Sequence, residues 1–168
     1  MDDVGIKVGT TFSIRHTLAS LAYRAARAVD SAPPEFAKFG AAPDYKTPDP
    51  KTPAMIRAHM GDLMDWALSL VEGNQKWQNS DPLPWGEEVA RFFRGLQALD
   101  TAIAATELST ETANRLFQGP IADALTHTGQ LAMLRRMAGC PIRGENYFVA
   151  DIVIGRVGVD QPAARRSF

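Results

Sequence analysis

Residues 119–139, GPIADALTHTGQLAMLRRMAG, decide how the chain folds. Pro120 stands at an N1-like position, where its missing N–H costs nothing, and Gly139 supplies a stop. Between them Ile121, Ala124, Leu125, Thr128, Leu131 and Ala132 recur at three- and four-residue spacing, the period of one buried helix face. Arg135 falls on that face too and is expected to snorkel or to pair with an acid of the C-terminal tail. His127 follows Asp123 by four residues, so the two side chains stand one above the other. They lie beside the apolar stripe and look into a cleft at the edge of the core. The preceding TETANRLFQG (110–119) has the propensity for a short helix of its own.

Three further helices precede this one. From about Phe12 to Asp30, Ile14, Leu18, Leu21, Ala22, Ala25 and Val29 repeat with helical period, and Pro33-Pro34 ends the run. Residues 31–53 hold six prolines and must be loop, with one short turn around Glu35 to Phe39. Phe36, Phe39 and Tyr45 favour a loop that packs back on the domain. Thr52-Pro53 opens the second helix with an N-cap hydroxyl and an N1 proline. Its apolar band runs from Met55 to Leu70 and includes His59, and Gly73 closes it. The third helix is predicted from about Trp85 to Leu108, with Glu87 and Glu88 at the favourable end of its dipole. After Gly139 the chain turns rich in glycine, valine and isoleucine, without an evident partner strand. Residues 140–168 are expected to form an irregular or extended tail. Ile142, Tyr147, Phe148, Ile152 and Ile154 should hold it against the helices. The expectation is an all-α single domain spanning residues 1–168.

Composition narrows the functional classes. Eighteen basic residues against 19 acidic ones give a formal net charge of −1, which argues against a nucleic-acid partner. No run of 18 apolar residues is present, so no membrane span is expected. The acidic start has neither the basic nor the apolar region of a signal peptide. A single cysteine rules out an intramolecular disulfide, and the expected location is cytoplasmic. Cys140 precedes Pro141 at a helix C-terminus, where the dipole disfavours an anion, and is read as inert.

Three histidines remain to carry chemistry. His16 falls opposite Ile14, Leu18 and Leu21 and belongs on the surface. His59 lies within an apolar band, where a lone histidine is commonly a satisfied boundary residue. An Asp-His pair one turn apart is commonly plain surface pairing. Together, however, His59, Asp123 and His127 offer two imidazoles and a carboxylate from two helices, enough to hold a divalent ion with positions left open. Zinc, nickel, iron and manganese all suit that donor set. No phosphate loop, nucleophile elbow or Cys-x-x-Cys motif competes with it.

Residues 119–139 resemble the last helix of the DinB/YfiT-like superfamily of small four-helix metalloproteins. That family's pattern ends in two histidines four apart, the second followed by Arg-Gly-Gln. Here the second histidine is His127, followed by Thr128-Gly129-Gln130, and the first position is Asp123. The family's helix-two histidine matches His59 in RAHMGDLMDW (57–66). The resemblance implies an up-up-down-down four-helix bundle with a metal cleft at one end and His59, Asp123 and His127 as ligands. It also implies a small-molecule substrate, with thiol-dependent transferases and isomerases among the relatives. Metal activation of a water or thiol is the mechanism expected, and no residue is assigned as catalytic in its own right. Asp62 and Gln130 are candidates for supporting contacts. The polar cluster Arg143, Glu145, Asn146 and Tyr147 is expected to anchor the tail first and touch substrate second. The competing expectation is a helical bundle that dimerises through an apolar face and holds no metal. A homodimer is expected in either case.

Overall fold

The protein is described by a computed structural model over residues 3–40 and 52–168, of which the side chains of residues 3–8 are not considered. Helix accounts for 65% of it, and no strand forms among the described residues. Four helical rods result: α1 (Asp3–Val29), α2 (Pro53–Val71), α3 (Trp85–Ala105), and a rod built from α4 (Thr110–Leu116), a π turn (Phe117–Ile121) and α5 (Ala122–Met137). The Thr52 hydroxyl accepts from the Met55 N–H at 3.3 Å, which starts α2, and Gly73 ends it at φ +70°. Both follow from local chemistry: an N-cap oxygen satisfies an orphan donor, and glycine adopts the left-handed conformation without penalty.

α2 packs on both α3 and α5, and α1 packs on both α3 and α5. Leu18, Leu21, Met60, Met64, Leu96, Leu99, Ile103 and Leu131 fill the space between them. The α2–α3 seam is tight because Gly95 has no Cβ, and one placed there would sit 3.0 Å from Met64 Cβ. Among the described residues no helix is long and apolar enough to cross a membrane.

Several boundaries differ from the sequence expectation. α1 begins at Asp3 rather than Phe12, because apolar periodicity marks where a helix meets its partners and not where it starts. α3 ends at Ala105 rather than Leu108. Pro120 does not restart a helix. It lies inside the π turn, where the Ala122 N–H reaches five residues back to the Phe117 carbonyl, and the rod widens instead of breaking. Arg135 is buried without any acid. Its guanidinium donates to the carbonyls of Cys140, Ala28 and Asp30, and so caps the end of α1.

The proline-rich segment forms a 3₁₀ turn at Pro34–Lys38, and Phe36 is buried edge-on against Trp85 at 5.5 Å. Phe39 packs half-buried beside it. Tyr45 lies outside the described residues, as does the rest of 41–51. The tail has Val157 and Glu145 buried, with Ile142, Tyr147, Ile152 and Ile154 half-buried. Phe148 departs from expectation: a 3₁₀ turn at Tyr147–Val149 points it outward, 95% exposed.

Candidate metal centre

His59 sits in the second turn of α2, and Asp123 and His127 sit one turn apart near the start of α5. Because α2 packs on α5, the three side chains meet. His59 Nε2 lies 3.2 Å from one Asp123 oxygen, and His127 Nε2 lies 3.4 Å from the other. The two imidazoles stand perpendicular with their centroids 4.9 Å apart. All three ligand atoms fall within 4.8 Å of one another. His127 is buried, His59 is half-buried, and the Asp123 side chain is 45% exposed, so the cluster opens to solvent on the carboxylate side.

Gln130, one turn beyond His127, accepts a hydrogen bond from His127 Nδ1 at 2.7 Å. That bond places the ring proton on Nδ1 and leaves Nε2 as a lone pair aimed at Asp123. Two acceptors facing each other at 3.4 Å repel unless a positive charge lies between them. A proton or a metal ion supplies it. Ligand atoms about 2.0–2.1 Å from one divalent cation stand about 2.8–3.4 Å apart at octahedral to tetrahedral angles. The two nitrogen–oxygen distances match that range, each to a different carboxylate oxygen. Drawing the 4.8 Å spread of the three ligand atoms onto one ion takes a side-chain adjustment. The donor set, two neutral nitrogens and one carboxylate, fits a borderline divalent metal.

Trp77 was not singled out by sequence reasoning. It is carried by the 72–84 connection, which lies across α2. The Lys76 N–H donates to Ser69 Oγ at 3.0 Å, and Ser80 donates to Asp62 from both its N–H (2.9 Å) and its Oγ (2.7 Å). Held on both sides, the Trp77 ring stands edge-on to His59 at 5.7 Å and to Trp66 at 5.6 Å. The signal in the sequence was a lone tryptophan inside the polar run NQKWQNS (74–80), where a solvated loop has no use for one.

The remaining predicted residues are engaged elsewhere. Both Asp62 oxygens are taken up by Ser80 and by Arg91, whose Nη2 is 2.5 Å away. Burial alone would raise the Asp62 carboxyl, but the bonds from Arg91 and Ser80 overcome it and hold its pKa below the usual value. Glu145 accepts from the Tyr23 hydroxyl and from Arg27 Nε at 3.1 Å, which fixes the tail to α1. Burial and the bond to Glu145 both push the Tyr23 hydroxyl pKa up. Tyr147 lies under the Arg24 guanidinium at 4.0 Å, Asn146 caps the following turn, and Arg143 is exposed. Glu145 and Tyr147 therefore anchor the tail to α1 while Asn146 shapes its turn, and neither Asp62 nor Glu145 is free to act as a base. His16 is exposed, and Cys140 is half-buried.

No family model, no curated protein and no solved structure matches this chain.

Proposed function

We propose that the protein binds one divalent metal ion through His59, Asp123 and His127 and acts on a small molecule, as a DinB-like metalloprotein with the up-up-down-down bundle of that family. The observation that carries this reading is the Asp123 carboxylate set between two imidazole nitrogens, with no arginine or lysine on it among the described residues. A bound divalent ion supplies Lewis acidity and lowers the pKa of a water or thiol at its open positions, the chemistry of a thiol-dependent transferase or isomerase or of a hydrolase.

The chain's own residues do the rest. Gln130 fixes the His127 tautomer, so that Nε2 is available to the ion. Asp123 adds one negative charge, which leaves a divalent site with net positive charge and an electrophilic character. Its half-exposure leaves the approach open to a solute. Trp77 shields one edge of His59 from water. The cell compartment that suits a lone cysteine is the reducing cytoplasm.

Metal analysis of untagged protein tests the proposal. One equivalent of zinc, nickel, iron or manganese per chain is expected, with calorimetric binding of zinc to the stripped protein. Stripped protein that takes up none of these ions would remove the proposal. A second reading, a homodimer whose polar trio is satisfied by hydrogen bonds alone, is favoured by one observation: Met133, Met137, Phe148 and Phe168 are all large, apolar and exposed.

A further inference from the structure

A cleft of about 600 Å³ opens between α2 and the α4–α5 rod. Trp66, Leu70, Leu116 and Gly119 form its apolar wall, and Gln75 and Arg115 stand at its rim. Its place in the fold ties it to the candidate metal centre. His59 faces Asp123 and His127, while Trp66, seven residues on, faces Gly119, four residues before Asp123. The two helices therefore run antiparallel here, and the cleft lies along the same seam of α2 with the α4–α5 rod as the cluster does. At 1.5 Å per residue the separation is about 10 Å. The Trp77 ring bridges the gap, in contact with His59 on one side and Trp66 on the other.

Two local features keep the cleft open. The π turn around Pro120 widens the rod directly ahead of Asp123, a distortion that recurs at functional sites. Gly119 lies within that turn, and a Cβ there would already come to 3.8 Å from the Trp66 ring, so any side chain beyond methyl would fill the space. The Trp66 indole N–H is buried without an acceptor, an unused donor on a residue of the wall. At the rim, Arg115 is paired among the described residues with Glu111 alone, at 2.6 Å across an exposed helix surface. Such a pair is weak and yields readily to another anion.

We propose that this cleft binds the apolar body of the substrate, a slender aryl or alkyl group that ends in an anionic or hydrogen-bond-accepting function at Gln75 and Arg115. The reacting end of the same molecule then lies at His59, Asp123 and His127. The inference rests on the metal reading for its chemistry but not for its binding, and the two are separated by experiment.

Zinc-loaded full-length protein is titrated with acetohydroxamate and with 6-phenylhexanohydroxamate, which share a metal-binding head and differ in the body. The phenylalkyl compound is expected to bind at least about tenfold tighter, the gain from burying a ring and a short chain in an apolar wall. Gly119→Leu should erase that gain and leave acetohydroxamate affinity and zinc stoichiometry unchanged. Should Gly119→Leu fold poorly, Leu70→Trp fills the cleft from the opposite wall and should do the same. Equal affinity for the two compounds in the unmodified protein would overturn the cleft proposal while the metal site stands. Failure to bind any of zinc, nickel, iron or manganese would overturn the metal reading instead, and the stripped protein then decides the cleft by itself. There, 4-phenylbutyrate at millimolar concentration should shift the Trp66 indole N–H resonance, identified by its loss in Trp66→Phe. An unmoved resonance would overturn the cleft proposal in that arm.

Discussion

α2 presents two carboxylate partnerships on its two sides, and they are opposites. On the α3 side, Asp62 is buried, and Arg91 and Ser80 supply donors to both of its oxygens. Arg91 also reaches Asp65 at 2.7 Å, and Arg57 and Glu88 lie fully buried beside this network. On the α5 side, Asp123 is half-exposed and, among the described residues, meets imidazole nitrogens alone. A carboxylate given its cation by the fold is a structural element. One placed between two imidazole nitrogens, with one of those rings already oriented by Gln130, is able to take a cation from solution. The same residue type in one helix bundle thus separates into scaffold and site by what faces it.

The largest effects should come from crossing the two regions. His127→Ala should abolish stoichiometric metal binding, measured by calorimetry. It should also remove the stabilisation by metal, about 2.7 kcal/mol at a free ion concentration one hundred times Kd. Asp62→Ala should leave metal stoichiometry intact yet lower unfolding free energy by about 3 kcal/mol, because it strips a buried partner from Arg91. Loss of metal binding in Asp62→Ala with a folded protein would erase the distinction between the two sides.

Within the scaffold side, Arg57 and Glu88 offer a sharper case. Arg57 Nε and Nη2 and one Glu88 oxygen lack hydrogen-bond partners, and full burial pushes the Arg57 pKa down to about 9 against the pull of Glu88. The guanidinium lies over the Phe92 ring at 4.1 Å, an apolar seat for a charge. Arg57→Met alone should cost about 3 kcal/mol, since it removes one of the two cations near the buried Glu88 charge and leaves only Arg91 Nη1, 3.8 Å away. Adding Glu88→Gln should recover most of that loss in denaturant unfolding, as the remaining Leu83 N–H bond to the side-chain oxygen is kept. A double variant as unstable as the single one would show that the pair is held by packing rather than by charge.

The helices, the Thr52 cap and the Gly73 stop were legible because each rests on spacing within one helix or on short-range chemistry. Spacing also put Asp123 and His127 on one face, whereas the approach of His59 across two helices was expected from the donor types together with the family resemblance. Pro120 misled for a definite reason. Proline at a helix start and proline in a π turn share the same missing donor, and only the continuity of the rod tells them apart. Arg135 was placed on the correct face, but its partners are backbone carbonyls some hundred residues away, which no side-chain pattern encodes. Trp77 reaches His59 only because the connection that carries it is tied to α2 through Ser69 and Asp62, a tertiary arrangement invisible to periodicity.

On the site side, Gln130→Leu should weaken metal binding by about 10–100-fold with stoichiometry retained, the usual loss when the group that orients a ligating histidine is removed. Asp123→His should preserve or tighten binding, because it replaces the carboxylate by a third imidazole, a donor that suits the same borderline divalent metals. Wild-type affinity in Gln130→Leu would mean that packing alone orients His127, and the contrast with the doubly held Asp62 would lose its second half.

The smallest effect is a pH dependence confined to the scaffold side. The folded Asp62 carboxyl titrates below its unfolded value of about 3.9, because Arg91 and Ser80 favour the ion more than burial opposes it. Between the folded and unfolded values the unfolded chain binds more protons. The contribution of Asp62 is therefore fully present well above pH 3.9 and is lost as pH falls through the folded pKa. Asp62→Asn keeps the side-chain shape and removes the titration. The difference in unfolding free energy between wild type and Asp62→Asn, followed in urea from neutral pH downward, should be constant at first and shrink below about pH 4. A difference that persists unchanged into strong acid would mean that the bonds from Arg91 and Ser80 together gain the ionised carboxyl nothing over burial. The contrast of Asp62 with Asp123 would then be one of geometry rather than charge.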